Sequence, residues 1–149
     1  MTAAVRVANC PLCQDIGGQL IFEAARFRVI RAAEAGFPAF YRLVWRDHVS
    51  EFSKLSRDDR ILCMDAVTLI EECLREALAP TKVNLATLGN VVPHLHWHVI
   101  ARFEWDSHFP GPVWTAPQRE RVAEREAAVA GKLPAMEQTM VERLGAGGF

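Results

Sequence analysis

The sequence has no apolar run long enough to cross a bilayer, which takes roughly 20 residues in a helix. The longest uncharged stretch, residues 83–101, is broken by asparagines, a glycine, a proline and three histidines. Residues 1–13 also lack the apolar centre of a secretory signal, because Arg6 interrupts them. We therefore expect no membrane partner and no secretion.

The sequence also lacks an excess of charge of one sign. Its 17 lysines and arginines are balanced by 18 acidic residues, for a net charge of −1. This excludes the broad cationic surface with which proteins bind long nucleic acids. A small phosphate-bearing ligand is not excluded, since imidazoles and backbone N–H groups can make one pocket favourable for an anion whatever the net charge.

The sequence has four cysteines, and their placement does not suit disulfides. Of the four cysteines, Cys10 and Cys13 form a Cys-x-x-Cys pair, while Cys63 and Cys73 lie on one predicted helix. Ten helical residues separate two side chains by about 15 Å, too far for a disulfide bond. A reducing compartment, the cytoplasm, is therefore expected.

The composition is that of a folded globular chain. Half of the 149 residues are hydrophobic and 23% are charged, so one core of ordinary size can form, and we expect a single domain over residues 1–149. Hydrophobic periodicity predicts an α+β fold, in which a mainly antiparallel sheet carries one long helix. The predicted elements are a hairpin at 18–33, strands at 37–46 and 82–90, a helix from Ser56 to Pro80, and polar helices at 118–130 and 135–144.

Three of the five histidines alternate along one predicted strand, in the segment HLHWHVI at 94–100. Side chains two residues apart share one face of a strand, so His94, His96 and His98 would form a row about 13 Å long. The apolar residues between them face the other way and pack under the helix. The imidazole face is left to border a pocket or a partner. Bonds to a metal ion are only about 2 Å long, so histidines four residues apart on a straight strand do not suit one shared ion.

This segment resembles the alternating histidine motif of the histidine triad (HIT) superfamily of nucleotide hydrolases and transferases. The preceding residues, NLATLGNVVP, and the segment LVWRDHVSEFSKLS resemble other parts of the family's pattern. The resemblance covers about residues 10–114. It implies a HIT-like core over those residues, with 115–149 as a C-terminal helical extension.

The resemblance implies attack on the α-phosphate of a nucleotide, with a nucleotidyl-histidine intermediate that water then hydrolyses. Imidazole suits this chemistry because it is largely neutral near pH 7 and needs no separate base. By motif position His96 is the nucleophile. The other implied site residues are His94 and His98 for catalysis, and Asn84, Gly89, Asn90 and Glu34 for binding the nucleotide and its phosphate.

The expected substrates are dinucleoside polyphosphates, such as diadenosine tetraphosphate, and adenosine phosphoramidates, with a nucleoside monophosphate as product. No cofactor is required for the chemistry, and the resemblance implies a homodimer. Asn90 departs from the family pattern by replacing a glutamine, and Val91 departs from it by replacing a residue that is often hydroxylated. These departures keep a second hypothesis open, a zinc-stabilised nucleotide-binding or scaffold protein with little turnover.

The Cys-x-x-Cys pair is compatible with a redox motif, half of a zinc site or two buried thiols. Some bacterial members of the superfamily bind zinc through such a pair with two histidines. The resemblance implies that Cys10, Cys13, His48 and His94 hold a structural zinc ion, which leaves His96 free. A thiol redox protein that uses Cys10 and Cys13 is a further alternative.

Overall fold

The computed structural model describes residues 3–149, which build one antiparallel sheet and three α-helices. The strand order is β1-β2-β3-β5-β4, and every neighbouring pair is antiparallel. The strands are β1 (Gln19–Glu23), β2 (Phe27–Arg31), β3 (Phe40–Trp45), β4 (Lys82–Ala86) and β5 (His96–Arg102). The predicted α+β fold with a mainly antiparallel sheet is confirmed.

The long helix α2 (Arg57–Leu78) forms where the apolar periodicity predicts it. The Ser56 hydroxyl accepts a hydrogen bond from the backbone N–H of Asp59 at 3.1 Å, which caps the first turn. The helix ends at Ala79, whose left-handed backbone (φ 45°) turns the chain just before Pro80. The other helices are α1 (Pro11–Gln14) and α3 (Ala123–Ala146), and a short 3₁₀ helix spans Phe52–Lys54.

The main core lies between α2 and one face of the sheet. Because side chains alternate along a strand, Tyr41 and Leu43 of β3 and Val99 of β5 point to this face and are fully buried. Their neighbours in sequence, Arg42 and His98, point to the opposite face. The apolar residues around the triad thus pack under the helix, and two of its imidazoles are left for the other side of the sheet.

The two helices predicted at 118–130 and 135–144 are one helix, α3, which runs through Pro134. A proline inside a helix removes one hydrogen bond and costs about 3 kcal/mol. Here one apolar stripe crosses the proline without a break and packs against the core, which offsets that cost. The buried residues of the stripe are Val129, Leu133, Met136, Met140 and Leu144.

Two local features differ from what the sequence pattern predicts. Strand β5 begins at His96, so His94 lies before the strand instead of inside one regular row. The short helix α1, which carries Cys13, has no periodicity long enough to be predicted. Over residues 3–149, no helix combines the length and the apolar character needed to span a membrane.

Candidate active site

A cavity of about 530 Å³ opens on the sheet face that α2 leaves uncovered. Its volume is in the range of small-molecule sites. Strands β3 and β5, helix α1, the loop after β4 and the segment around residue 114 surround it. The lining residues are Pro11, Leu12, Gly17, Arg42, Leu88, Gly89, Asn90, Val91, Val92, His96, His98 and Trp114.

His96 stands at the start of β5 with 9% of its surface exposed. Its Nδ1 lies 2.6 Å from the backbone carbonyl oxygen of His94. A carbonyl oxygen only accepts hydrogen bonds, so Nδ1 carries the proton and donates it. The other ring nitrogen, Nε2, therefore keeps its lone pair. Burial lowers the pKa of His96, so the ring stays neutral at physiological pH.

His98 follows on the same face, and its ring centroid lies 4.9 Å from that of His96. It is 5% exposed. Burial, together with the nearby His96 and Arg42, lowers the pKa of His98 to about 3. The indole of Trp114 covers the ring edge to face at 5.0 Å, and about half of that indole is exposed. The cavity thus holds two adjacent neutral imidazoles.

The low pKa of His98 predicts that stability falls as the solution is acidified. Between pH 6.5 and 3 the unfolded chain binds a proton at His98 that the folded chain does not. The free energy of unfolding then falls by up to about 1.4 kcal/mol per pH unit below pH 6.5. In His98→Asn this contribution is absent, so the urea midpoint should depend less on pH between 6.5 and 5. Equal pH dependence of the two proteins would contradict the assignment.

The loop between β4 and β5 forms one wall of the cavity. Gly89 has φ +75°, a conformation that side-chain-bearing residues rarely adopt. Gly89 and Asn90 both line the cavity, as the sequence hypothesis requires for groups that bind a phosphate. Val91 follows with 93% exposure, so its side chain supplies apolar surface and no donor.

Asn84 lies on β4 and lines a second surface depression, separate from the cavity of His96. Trp114 lines that depression too. The amide oxygen of Asn84 accepts a hydrogen bond of 2.8 Å from Arg102. Arg102 is fully buried, pairs with Asp106 at 2.9 Å, and also donates to the carbonyl of Gly111. In this structure Asn84 therefore belongs to a buried polar network that ties β4 and β5 to the loop leading to Trp114.

Glu34 forms an ion pair with Arg42, which lines the cavity. Its Oε1 lies 3.4 Å from Nη2 of Arg42, and 46% of the Glu34 side chain is exposed. Sequence reasoning missed Arg42, which lines the cavity between Glu34 and His98. The available signal was a single charge in the otherwise apolar strand FYRLVW at 40–45.

A second cluster of chemically active side chains lies next to the cavity. The ligand atoms of Cys10, Cys13, His48 and His94 all lie within 4.8 Å of one another. The sulfur of Cys10 is 3.5 Å from Nδ1 of His94, and that of Cys13 is 3.4 Å from Nδ1 of both histidines. These are the four residues that the resemblance assigned to zinc.

The donor set and its spacing fit a tetrahedral zinc ion. Sulfur and nitrogen ligands at about 2.3 and 2.0 Å from zinc lie about 3.5 Å apart in a tetrahedron. His94 Nε2 donates to the carbonyl of Trp45 at 2.6 Å, which leaves Nδ1 deprotonated and directed at the sulfurs. Four protein ligands would leave no open position, so such a site is structural.

His94 links the cluster of cysteines and histidines to the cavity. His94 directs its ring to the cysteines, and its carbonyl accepts the hydrogen bond of His96. The structure therefore brings His96, His98, Gly89 and Asn90 together at the cavity, and it places His94 with the cysteines.

Comparison with known protein families and with solved structures identifies proteins of one family. The family model of the HIT domain matches residues 14–105, more than half of the chain. The crystal structure of a histidine triad protein from Bradyrhizobium japonicum is similar at 25% identity and a TM-score of 0.70, covering 93% of this chain and 99% of that one. No curated protein matches the chain.

Two further crystal structures are similar at comparable identity. A histidine triad protein from Sinorhizobium meliloti has 28% identity and a TM-score of 0.65, with 80% of this chain and 90% of that chain covered. One from Marinobacter aquaeolei has 27% identity and a TM-score of 0.66, with coverage of 84% and 92%.

Proposed function

Because the chain belongs to the HIT domain family, we propose that it is a nucleotide hydrolase or transferase that cleaves at the α-phosphate. The proposed substrates are dinucleoside polyphosphates, such as diadenosine tetraphosphate, and adenosine phosphoramidates. The reaction proceeds through a nucleotidyl-histidine intermediate on His96 and releases a nucleoside monophosphate.

The observation that carries this proposal is the orientation of His96. Its Nδ1 proton is engaged by the carbonyl of His94, so Nε2 is the nitrogen with a free electron pair. The ring is neutral and borders a cavity of suitable size. A neutral imidazole with a fixed tautomer is a nucleophile that requires no base.

The proposed reaction has two displacements at phosphorus. In the first, Nε2 of His96 forms a bond to the α-phosphorus, and the leaving group departs with the electron pair of its own bond and takes a proton from solvent. In the second, water attacks the same phosphorus and releases a proton to solvent, the P–N bond breaks, and Nε2 recovers its electron pair. His98 and the N–H groups of Gly89 and Asn90 donate hydrogen bonds to phosphate oxygens as negative charge builds.

We assign the cluster next to the cavity as a structural zinc site held by Cys10, Cys13, His48 and His94. Zinc would cross-link α1 to the segments that carry the two histidines. The metal has no step in the reaction. Its role is to fix the chain around His94, whose carbonyl orients His96.

The proposal includes a homodimer in the cytoplasm. Strand β4 is an edge of the sheet, and Leu85 on it is 43% exposed. An edge strand with an apolar side chain is a favourable surface for pairing with a second copy. The four cysteines form no disulfide bonds with one another, which is compatible with a reducing compartment.

The second candidate is a zinc-stabilised nucleotide-binding protein with little turnover. The exposed Val91 in the phosphate loop favours it, because that position offers no side-chain donor to a leaving group. The two candidates differ in whether a bound nucleotide becomes covalently attached to His96.

An activity screen tests the proposal. Metal-loaded protein is incubated with diadenosine polyphosphates of different lengths and with adenosine phosphoramidates of different amines, and release of AMP is followed by chromatography. We expect AMP from at least one class, at rates well above the solution background. Tight nucleotide binding with no AMP from any substrate would support the binding protein instead.

A further inference from the structure

Arg42 occupies a position in the cavity that no motif of the sequence singled out. In the β3–β5 register it lies directly opposite His98, so the two side chains point to the same face of the sheet. Among the cavity-lining residues that the structure describes, Arg42 is the one that carries a permanent positive charge. Arg42 lies on β3, an inner strand of the sheet, where a charged side chain needs a partner or a function.

The contact between Arg42 and His98 fixes which nitrogen of His98 carries its proton. The Nε–H of Arg42 points at Nδ1 of His98 at 3.4 Å. A guanidinium has only donors, so Nδ1 has to act as the acceptor. In the neutral ring the proton is then on Nε2. We infer that Arg42 is a positioning residue that holds His98 in its Nε2–H tautomer.

The neighbouring His96 is held in the opposite tautomer. There the carbonyl of His94 accepts from Nδ1, so Nε2 of His96 has the electron pair. Two imidazoles with ring centroids 4.9 Å apart thus have different roles set by different partners. A carbonyl makes His96 an electron-pair donor at Nε2, and an arginine makes His98 a hydrogen-bond donor at Nε2.

The surroundings of Arg42 keep its guanidinium in place. Glu34 lies 3.4 Å from Nη2, and the ring of Phe40 lies under the guanidinium carbon at 5.2 Å. Phe40 also contacts the His98 ring edge to face at 5.6 Å. The arginine charge acts in the same direction as its hydrogen bond, since a cation beside Nδ1 disfavours a proton there.

This inference deepens the proposed function, and its catalytic consequence rests on that function. The Nε2–H of His98 is the group that donates to phosphate oxygens in the proposed reaction. A ring with the proton on Nδ1 would present an electron pair to the phosphate and repel it. The tautomer itself is a property of the free protein and can be measured without substrate.

The test is a long-range ¹H–¹⁵N correlation spectrum of protein labelled at histidine, recorded at pH 7.5. For His98 we expect Nε2 to have the shift of a protonated nitrogen and Nδ1 that of an unprotonated one, with the reverse for His96. In Arg42→Met, His98 should become a mixture of tautomers while His96 is unchanged. In Arg42→Lys, which has only donors and keeps the charge, the Nε2–H form should persist.

Activity provides the second measurement. Loss of one oriented donor should lower kcat of Arg42→Met about tenfold. The control is Arg26→Met, which removes an equal charge at an arginine outside the cavity, paired with Asp59. It should leave both the spectrum and the rate unchanged.

A wild-type His98 protonated at Nδ1, or a tautomer unaffected in Arg42→Met, would overturn the inference. The wild-type spectrum alone can decide against it, so the test does not depend on the folding of a variant. If the tautomers are as expected but no substrate is hydrolysed, the proposed function fails and the assignment of Arg42 stands.

Discussion

Replacement of His96 by alanine is expected to lower kcat for AMP release by about 10⁴-fold or more. The reason is that the variant has lost the atom that forms the bond to phosphorus, and no other lining residue presents a comparable electron pair. His98, the adjacent imidazole, has Nδ1 engaged by Arg42 and Nε2 protonated. Initial rates measured with the substrate identified in the activity screen check this result.

Controls separate this effect from unfolding or metal loss. His96→Ala should keep the metal content, the circular dichroism spectrum and the affinity for AMP, because the ring borders the cavity and is not one of the four clustered residues. The matched control is His108→Ala, a histidine in the loop after β5 that packs against Phe37. A His96→Ala enzyme with a tenth or more of the wild-type rate would exclude the covalent mechanism.

Removal of zinc is expected to destabilise the protein by about 4 kcal/mol or more. Zinc that binds only the folded chain stabilises it by about 4.1 kcal/mol when present at 1,000 times its Kd. For a chain of this length that corresponds to a fall in Tm of roughly 8–16 °C. Elemental analysis should find one zinc per chain, and a chelator should produce the shift in a thermal scan that added zinc reverses.

Variants of single cysteines assign the effect to the cluster. Cys10→Ala and Cys13→Ala should both lose zinc and show the lowered Tm without any chelator. Cys73→Ala is the matched control, since Cys73 is a buried thiol between α2 and α3 and far from the cluster in sequence. A Cys10→Ala protein that retains one zinc per chain would contradict the assignment.

The sequence allowed the elements of the sheet and α2 to be predicted because their signals are local. The cap at Ser56, the apolar stripe up to Pro80 and the alternation around the histidines each lie within one segment. Helix α3 was predicted as two helices because Gly131 and Pro134 are local breaking signals. The packing of the apolar stripe of α3 against the core outweighs these two signals. Such packing between distant segments cannot be identified from a local sequence pattern.

Site features that depend on pairing between distant segments were harder to predict. The row of alternating histidines does not show the contacts of His94 with Cys10 and Cys13, more than 80 positions away, and only the family resemblance placed it with them. Arg42 was missed because its importance comes from the β3–β5 register, which places it opposite His98. The role of Asn84 at the phosphate stays a prediction, and its contact with Arg102, which the sequence did not indicate, arises from the register of β4 with β5.

The proposed mechanism requires that Nε2 of His96 become covalently bound to the α-phosphorus. Its most direct test mixes metal-loaded protein with a substrate labelled with ³²P at the α-phosphate and stops the reaction within one turnover. The stop solution is an alkaline denaturant, because a phosphorylated imidazole hydrolyses in acid. We expect label on the peptide that contains His96, bound at Nε2 and absent in His96→Ala. Formation of labelled AMP with no labelled protein, or with the label on another residue, would contradict it.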